Sequence, residues 1–571
     1  MSKLLVYLKG YRVQAVMAPL FKMLEALFEL FVPLVIAGII DTGITRSDRT
    51  YIMQMSFLLV ALGIVGLISS VTAQYFAAKA AVGFSAQLRH ALMAHMQGLS
   101  YTEIDTLGTS AMITRMTSDI NQLQNGVNMT LRLILRSPFI VLGAAVMAFT
   151  IDVKSALVFV CVIPVLSLAV WLIMSRSMPV YKKVQGSLDG VTSAARENLT
   201  GVRVIRAFCK EEEERERFDK KTDLLTKFQL VAGRISALMN PVTYLIINAA
   251  IVVLIYTGAL QVNSGALTQG QVIALYNYMS QILIELIKFA NLMVTITRAA
   301  ACGNRVAGVF DIKSSQNSGE KTGERSGGDV EFKDVGLRYK GAGDSSLAGI
   351  SFSVRAGETV GIIGPTGAGK SSIVNLIPRF YDATSGTVLV DGTDVREYDI
   401  NALRKKCGVV PQKAVLFRGT IRTNLLWGDE NAADDELYAA LKAAQALEIA
   451  EQSLGGLDRR ITQGGENLSG GQRQRLTIAR ALVRRPEILI LDDSASALDF
   501  ATDAKLRIAL RELDYRPTVF IVSQRVSSVM YADRIIVIED GRMAGMGTHE
   551  ELMESCDLYR EIASSQLKEG R

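Results

Sequence analysis

The segment ETVGIIGPTGAGKSSIVNLI sets an apolar run, Thr359 to Ile363, directly before GPTGAGKS and an apolar helical run directly after it. A strand feeding a glycine-rich turn that opens a helix is the context a P-loop requires. Gly364, Gly367 and Gly369, with Thr366 and Ala368 between them, allow backbone N–H groups to curl around phosphate oxygens. Lys370 is placed to neutralise terminal phosphates and the Ser371 hydroxyl to join Mg²⁺, with Ser372 beside them. Such a turn alone is also ordinary punctuation between elements. The Lys-Ser pair, standing where phosphate and metal need it, favours a site for ATP and Mg²⁺.

Asp492 ends the strand-like run Ile488 to Leu491, placed to hold Mg²⁺ through water, and Asp493 follows it. Taken alone, a paired acid is also a solvated strand end. Just upstream stands NLSGGQRQR, Asn467 to Arg475. With this stretch the whole chain closely resembles the ATP-binding cassette (ABC) family, whose signature is LSGGQ, and the other family motifs occur in order. The resemblance implies that Tyr339 stacks on adenine and that Gln412 senses Mg²⁺ and the membrane domain. It likewise implies that SALD, Ser496 to Asp499, is the D-loop. TQGGEN, before the signature, resembles the segment that exporters use to contact the intracellular helices.

The implied arrangement makes physical sense. Ser469, Gly470 and Gly471, with Gln472 after them, open a helix whose N-terminal amides can meet the γ-phosphate held on another subunit's P-loop. One chain then completes no site, and two chains sandwich two ATP molecules. Two residues depart from the pattern of catalytic members. Where the resemblance implies a glutamate that polarises the attacking water, this chain has Asp493. Its carboxylate is withdrawn by roughly 1.5 Å, and a misplacement of about 1 Å can cost on the order of a hundredfold. Where the family places a histidine near the γ-phosphate, VFIVSQR has Gln524, an amide that donates a hydrogen bond but carries no imidazolium charge. His90, His95 and His549 lie elsewhere in the sequence. Two departures beside an intact signature resemble the degenerate-site subunit of a heterodimeric exporter, whose partner half-transporter supplies the competent site. A homodimer that tolerates the aspartate stays open.

These residues must be carried by more than one structural unit, because 571 residues exceed one ordinary core. Long apolar runs dominate up to about Ala300, and the remainder has the mixed texture of a soluble α/β domain. A span needs about 20 mostly apolar residues. Six runs qualify: Ala18 to Ile40, Ser56 to Ala78, Ser137 to Thr150, Ala156 to Met174, Pro241 to Leu260 and Val272 to Ile296. The third is short unless Leu131 to Leu135 extend it, which puts Arg132 and Arg136 near an interface where they can snorkel. The gaps Lys79 to Arg136 and Ser175 to Asn240 are basic, helix-rich and too long for turns. They are expected to be cytoplasmic continuations of the helices. Within them, LGTSAMITRMTSD and ENLTGVRVIRAF resemble the two intracellular loops of the family's exporters, which are expected to carry coupling helices. The charges Lys210 to Arg217 fit a solvated helix face. Residues 312–328 suggest a flexible linker between a transmembrane domain, 1–311, and a nucleotide-binding domain, 329–571.

Ionisable residues inside spans are costly enough to suggest a role. Lys22, Glu25 and Glu29 share one face of the first span, and Glu285 and Lys288 are an i,i+3 pair in the sixth. They either line a translocation path or pair with one another to fix helix packing. The N-terminal MSKLLVYLKGYRV suggests a retained interfacial helix rather than a cleaved signal, and five scattered cysteines suggest neither a disulfide framework nor a zinc site. The net charge of +6 flanks membrane spans instead of forming one basic face, so no nucleic-acid partner is expected. The fold expected is a six-helix all-α transmembrane domain of ABC exporter type joined to an α/β P-loop domain. It would be multi-pass in the cell membrane, with the nucleotide-binding domain cytoplasmic. The activity expected is ATP-driven export of small amphipathic, multidrug or lipid-like molecules, with membrane lipid as its surroundings. An ATP-gated sensor or channel, and an importer built on the exporter fold, are the competing readings.

Overall fold

The computed structural model describes residues 2–323, 327–451 and 455–568, so part of the expected linker, 324–326, lies outside the described residues. By packing, the chain divides into two units, Met1–Gln97 with Ser110–Ile312, and Gly98–Thr109 with Lys313–Arg571.

The first unit is all helix. Its long elements are α1 (Arg12–Gly38), α2 (Arg49–Gln97), α3 (Ile120–Leu133), α4 (Arg136–Ile151), α5 (Val153–Thr200), α6 (Glu211–Ala237), α7 (Met239–Asn263) and α8 (Gln269–Phe310). Among the described residues, six helical segments are long and apolar enough to cross a membrane. At 49 residues, α2 extends for about 73 Å at 1.5 Å per residue, against a hydrocarbon core of about 30 Å. The two long gaps in the sequence are thus filled mainly by helix that runs on from the spans. The third span is two helices, α3 and α4, with a turn at Ile134 and Leu135. Its core includes Leu30, Ile140, Phe159, Leu254 and Tyr278. Small residues bring helices close: a Cβ on Gly126 of α3 would lie 2.3 Å from that of Ala299 on α8. The N-terminal segment Ser2–Tyr11 is a 3₁₀ helix with Leu4 buried and Tyr7 against Phe310.

The second unit is built on two main sheets. β1 (Val330–Leu337), β2 (Leu347–Val354), β4 (Ser385–Val390) and β5 (Thr393–Asp394) form an antiparallel sheet in the order β2-β1-β4-β5. The central sheet contains β3 (Thr359–Ile363), β6 (Cys407–Val410), β9 (Ile488–Asp492), β10 (Thr518–Val522), β11 (Arg534–Glu539) and β12 (Arg542–Gly547). Its order is β12-β11-β3-β10-β9-β6, parallel except for the β11–β12 pair. β7 (Gly419–Thr420) and β8 (Arg460–Ile461) make a short pair of their own. β3, β9 and β10 are almost wholly buried apolar runs, as expected for strands covered on both faces.

Two segments differ from the sequence boundaries. Gly98–Thr109, expected with the membrane helices, packs with the second unit because its aromatic and acidic side chains find partners there. The Tyr101 ring lies 4.8 Å from that of Phe380, and the Tyr381 hydroxyl donates to Asp105 at 2.6 Å. The described part of the expected flexible linker is laid along the second unit. Gln316 is buried, and Gly319 N–H donates to the Tyr398 carbonyl at 2.9 Å. The Ser318 hydroxyl donates to Asp399 at 3.0 Å.

Candidate functional site

β3 ends at Ile363, and the chain turns into the helix α9 (Lys370–Leu376). A Cβ at Gly364 would come within 2.1 Å of the Ile538 carbonyl oxygen. At Gly369, where φ is 98°, it would lie 2.7 Å from that of Ser346. Only glycine lets the loop wrap this tightly. The loop borders a cavity of about 320 Å³ lined by Thr366, Gly367, Gly369, Lys370, Ser371 and Ser372. Gly364 and Ala368 lie outside this lining, and the Ala368 carbonyl accepts from Gly541 N–H at 3.1 Å.

The acidic pair arrives by sheet topology. β9 and β10 are parallel neighbours, with Asp492 opposite Val522, so Asp492, Asp493 and Gln524 emerge at the carboxyl edge of the sheet beside the loop. The Ser371 hydroxyl donates to Asp492 Oδ1 at 2.8 Å. Gln412 Nε2 reaches Asp493 Oδ2 at 3.3 Å, and the Thr366 hydroxyl faces Gln524 Oε1 at 3.5 Å. Lys370 Nζ donates to the Gly364 and Pro365 carbonyls at 2.8 and 2.7 Å. Across the cavity, the Tyr339 hydroxyl lies 3.0 Å from Ser372 Oγ, and its ring meets Tyr381 edge-on at 5.0 Å. Tyr339 and Tyr381 lie too far apart in sequence for their pairing to be read there; only β1 folded against the turn after α9 brings them together.

Electrostatically the site is short of positive charge. Burial pushes the Asp492 carboxyl above the usual range and the neighbouring Asp493 charge adds to this, against the Ser371 hydroxyl and Lys370. Burial also lowers the Lys370 ammonium, opposed by Asp493 and Asp492. A buried carboxylate bonded to a hydroxyl, with a second acid beside it, suits a divalent cation, and the loop with Lys370 suits its phosphates. The residues present therefore fit a nucleoside triphosphate with Mg²⁺, in which Ser371, Asp492 and Gln412 could hold the metal. A larger cavity, about 640 Å³ beside Phe500–Arg511, is lined by Arg507, Arg511, Arg516 and Asp533 but brings no phosphate-binding loop to a paired acid.

The signature is held apart from this cavity. Ser469 caps the helix α10 (Gly470–Val483): its hydroxyl accepts from Gln472 N–H at 3.2 Å while Gln472 Oε1 accepts from Ser469 N–H at 3.0 Å. Ser469 to Gln472 are not among the lining residues, and Ser469 and Gly470 are exposed. Asp499 caps the helix α11 (Phe500–Arg511), accepting from Thr502 N–H at 3.1 Å, and also lies outside the lining.

The intramembrane charges of the first unit converge on one residue. Arg136 donates to Glu285 at 2.5 Å and to Glu29 at 2.7 Å, and lies 3.9 Å from Glu25. Lys22 pairs with Glu25 at 2.5 Å, Lys288 with Glu285 at 2.9 Å, and the Ser137 hydroxyl donates to Glu285 at 2.8 Å. The expectation that Arg136 snorkels to an interface is corrected: it is 6% exposed, because three carboxylates from α1 and α8 meet it inside the helix bundle. The signal was an arginine next to an apolar run that two other helices complement in charge.

The family described as "ABC transporter transmembrane region" matches residues 15–286, and that described as "ABC transporter" matches residues 347–496. An ABC transporter ATP-binding protein of Mycobacterium tuberculosis is 36% identical over 568 residues, covering 98% of this chain and 97% of its own. YfiB of Bacillus subtilis, an ABC transporter ATP-binding protein, is 36% identical over 571 residues, covering 100% and 99%. The ATP-dependent lipid A-core flippase of Vibrio vulnificus is 30% identical over 571 residues, covering 100% and 98%. In structure, a bacterial Atm1-family ABC exporter with ATP bound superposes with a TM-score of 0.83 at 24% identity, covering 97% of this chain and 99% of that one.

Proposed function

This chain belongs to the ABC transporter family as an exporter-type half-transporter, and from that premise we propose that it is the degenerate-site subunit of a heterodimeric exporter. The coarser activity is that of an ATP-hydrolysing, multi-pass membrane transporter whose ATPase domain is cytoplasmic. The finer reading rests on one observation. Asp493 and Gln524 share the P-loop cavity, where a longer acid and an imidazole would serve hydrolysis, while the intact signature Ser469 to Gln472 stands outside it. This chain then holds ATP and turns it over slowly. Its signature closes the competent site of a second, different half-transporter. Lys370 and the loop amides bind the phosphates, Tyr339 takes the adenine, and Ser371, Asp492 and Gln412 hold Mg²⁺, which offsets charge on the terminal phosphates when bound.

Two exposed apolar features support a second chain. The short helix Val202–Ala207 leaves Val204 and the following Phe208 exposed, and on the second unit the stacked Phe417 and Trp427 are exposed beside a groove of about 550 Å³. For the substrate, we propose small amphipathic or lipid-like molecules, a class to which the 30% identical lipid A-core flippase lends support. The functional domains are taken as 1–311 and 329–571, with the charge cluster Lys22, Glu25, Glu29, Glu285 and Lys288 on the path. Co-expression of the tagged chain in its native membrane tests the reading. A non-identical half-transporter carrying the catalytic glutamate should co-purify, and a pure homodimer with full ATPase would sink it.

A further inference from the structure

The helix α12 (Asp557–Lys568), last among the described elements, reaches back to the segment just after β10. Gln566 Nε2 donates to the Gln524 carbonyl at 2.7 Å, and Gln566 Oε1 accepts from Val526 N–H at 2.8 Å. These two backbone groups flank Arg525, which is extended at φ −96° and ψ 121°. One primary amide therefore pairs with both sides of a residue as a neighbouring strand would. The rest of the segment is tied elsewhere. Ser523 N–H donates to the Ile362 carbonyl at 3.1 Å, and the Arg525 guanidinium reaches the Leu498 and Ser496 carbonyls at 3.4 and 3.3 Å. Among the described residues, the Gln524 side chain makes one weak hydrogen bond, with the Thr366 hydroxyl at 3.5 Å. Its aim into the P-loop cavity is thus set by its backbone, where Arg525 N–H donates to the Ser523 hydroxyl at 3.0 Å and the groups on either side of Arg525 are tied by the C-terminal helix.

We propose that Gln566 is a positioning residue that clamps the backbone on either side of Arg525 and so holds the Gln524 amide toward the terminal phosphate, making this site's preference for ATP over ADP depend on the C-terminal helix. It rests on the reading that Gln524 faces the γ-phosphate. ADP lacks the group that Gln524 would meet, so its binding does not use the clamp. Loss of the clamp then separates the two nucleotides, whereas a general loosening of the domain weakens both together.

The experiment uses the full-length chain with its co-purifying partner in membranes. This chain is photolabelled on ice with 8-azido-ATP and Mg²⁺, and label on it is displaced by ATP or by ADP. Gln566→Ala removes two hydrogen bonds and should reduce the ATP-over-ADP preference about three- to tenfold, through weaker displacement by ATP alone. Gln566→Glu keeps the size and the acceptor for Val526 N–H but turns a carboxylate on the Gln524 carbonyl, so its loss should be at least as large. Gln524→Ala sets the ceiling, and adding Gln566→Ala to it should change nothing further. The proposal is overturned if both Gln566 variants keep the wild-type preference while Gln524→Ala loses it, or if ATP and ADP displacement weaken in parallel. If Gln524→Ala itself keeps the preference, the placement of Gln524 at the γ-phosphate falls, and the role of Gln566 falls with it.

Discussion

Asp493 illustrates how much one residue decides. Its backbone sits at φ 46°, in the left-handed region that aspartate visits more readily than most side chains, with its N–H bonded to the Val522 carbonyl at 2.9 Å. Lengthening it to glutamate places a bulkier acid on the same strained turn. For that reason, if the facing signature of the proposed partner is itself altered, Asp493→Glu with Gln524→His should raise ATPase of the complex less than about twofold. Asp493→Asn should lower it by a similarly small factor. Ser469→Arg with Gly471→Asp puts bulk and negative charge at the helix start proposed to approach the partner's γ-phosphate, and even a Cβ at Gly471 would lie 3.1 Å from the Ala497 carbonyl oxygen. That pair should nearly abolish turnover. Steady-state ATPase at saturating Mg²⁺ and ATP ranks the variants, and the reverse ranking would make Asp493 the base of a symmetric machine. Lys370→Ala removes a charge-assisted phosphate contact and should cut nucleotide labelling of this chain at least about tenfold. Unchanged labelling would contradict the P-loop assignment.

Among the elements, α1, α4 and α8 are joined by Arg136 in a way that burial makes asymmetric. Arg136→Met leaves Glu285, 3% exposed at its side chain, with only Lys288 and the Ser137 hydroxyl, and takes the arginine from Glu29. It should cost about 1–3 kcal/mol, below the full cost of an orphaned buried charge because Lys288 still pairs with Glu285. Glu29 is 40% exposed, so Glu29→Gln should cost less than about 1 kcal/mol. Thermal unfolding in detergent compares the two, with substrate-stimulated ATPase read in parallel. If Glu29→Gln shifts substrate dependence at unchanged stability, Glu29 lines the path; equal losses of stability would instead make the whole cluster structural. The segment Gly98–Thr109 offers a pH test. Burial alone would raise the Glu103 carboxyl, but hydrogen bonds from the Ser100 hydroxyl and from the N–H and hydroxyl of Ser315 outweigh it and hold the group below its ordinary 4.5. A depressed carboxyl contributes stability above its unfolded value that is lost as pH falls through the folded one. Glu103→Gln should therefore destabilise the wild-type contact at neutral pH and erase part of the stability loss below about pH 4.5. Melting curves at pH 7 and pH 4 suffice to check it.

For the whole molecule, a single chain carries one P-loop cavity and one signature that do not meet, so function belongs to a pair. The capping box fixes Ser469 as the start of α10 and leaves Ser469 and Gly470 on an exposed surface. If the pair is heterodimeric, substituting the catalytic glutamate of the co-purifying chain should abolish ATPase, while Lys370→Ala here should leave a measurable fraction. Equal loss from either chain would favour a symmetric pair.

The sequence by itself determined the six apolar spans, the P-loop strand Thr359 to Ile363, the strand before Asp492, and the two departures at Asp493 and Gln524. Each of these is local: an apolar run, a glycine spacing or a residue beside a motif, and local pattern is what periodicity and turn chemistry encode. Tertiary structure alone decided the rest, because each remaining feature joins residues far apart in the chain. Arg136 looks interfacial until α1 and α8 bring Glu29 and Glu285 to it. The stretch after Ile312 looks like free linker until Glu397 to Asp399 supply partners for its backbone and hydroxyls. Gln566 looks like an ordinary residue of a terminal helix until the fold sets its amide across Arg525. Burial and long-range pairing carry no sequence period, so they become visible only when the elements are packed.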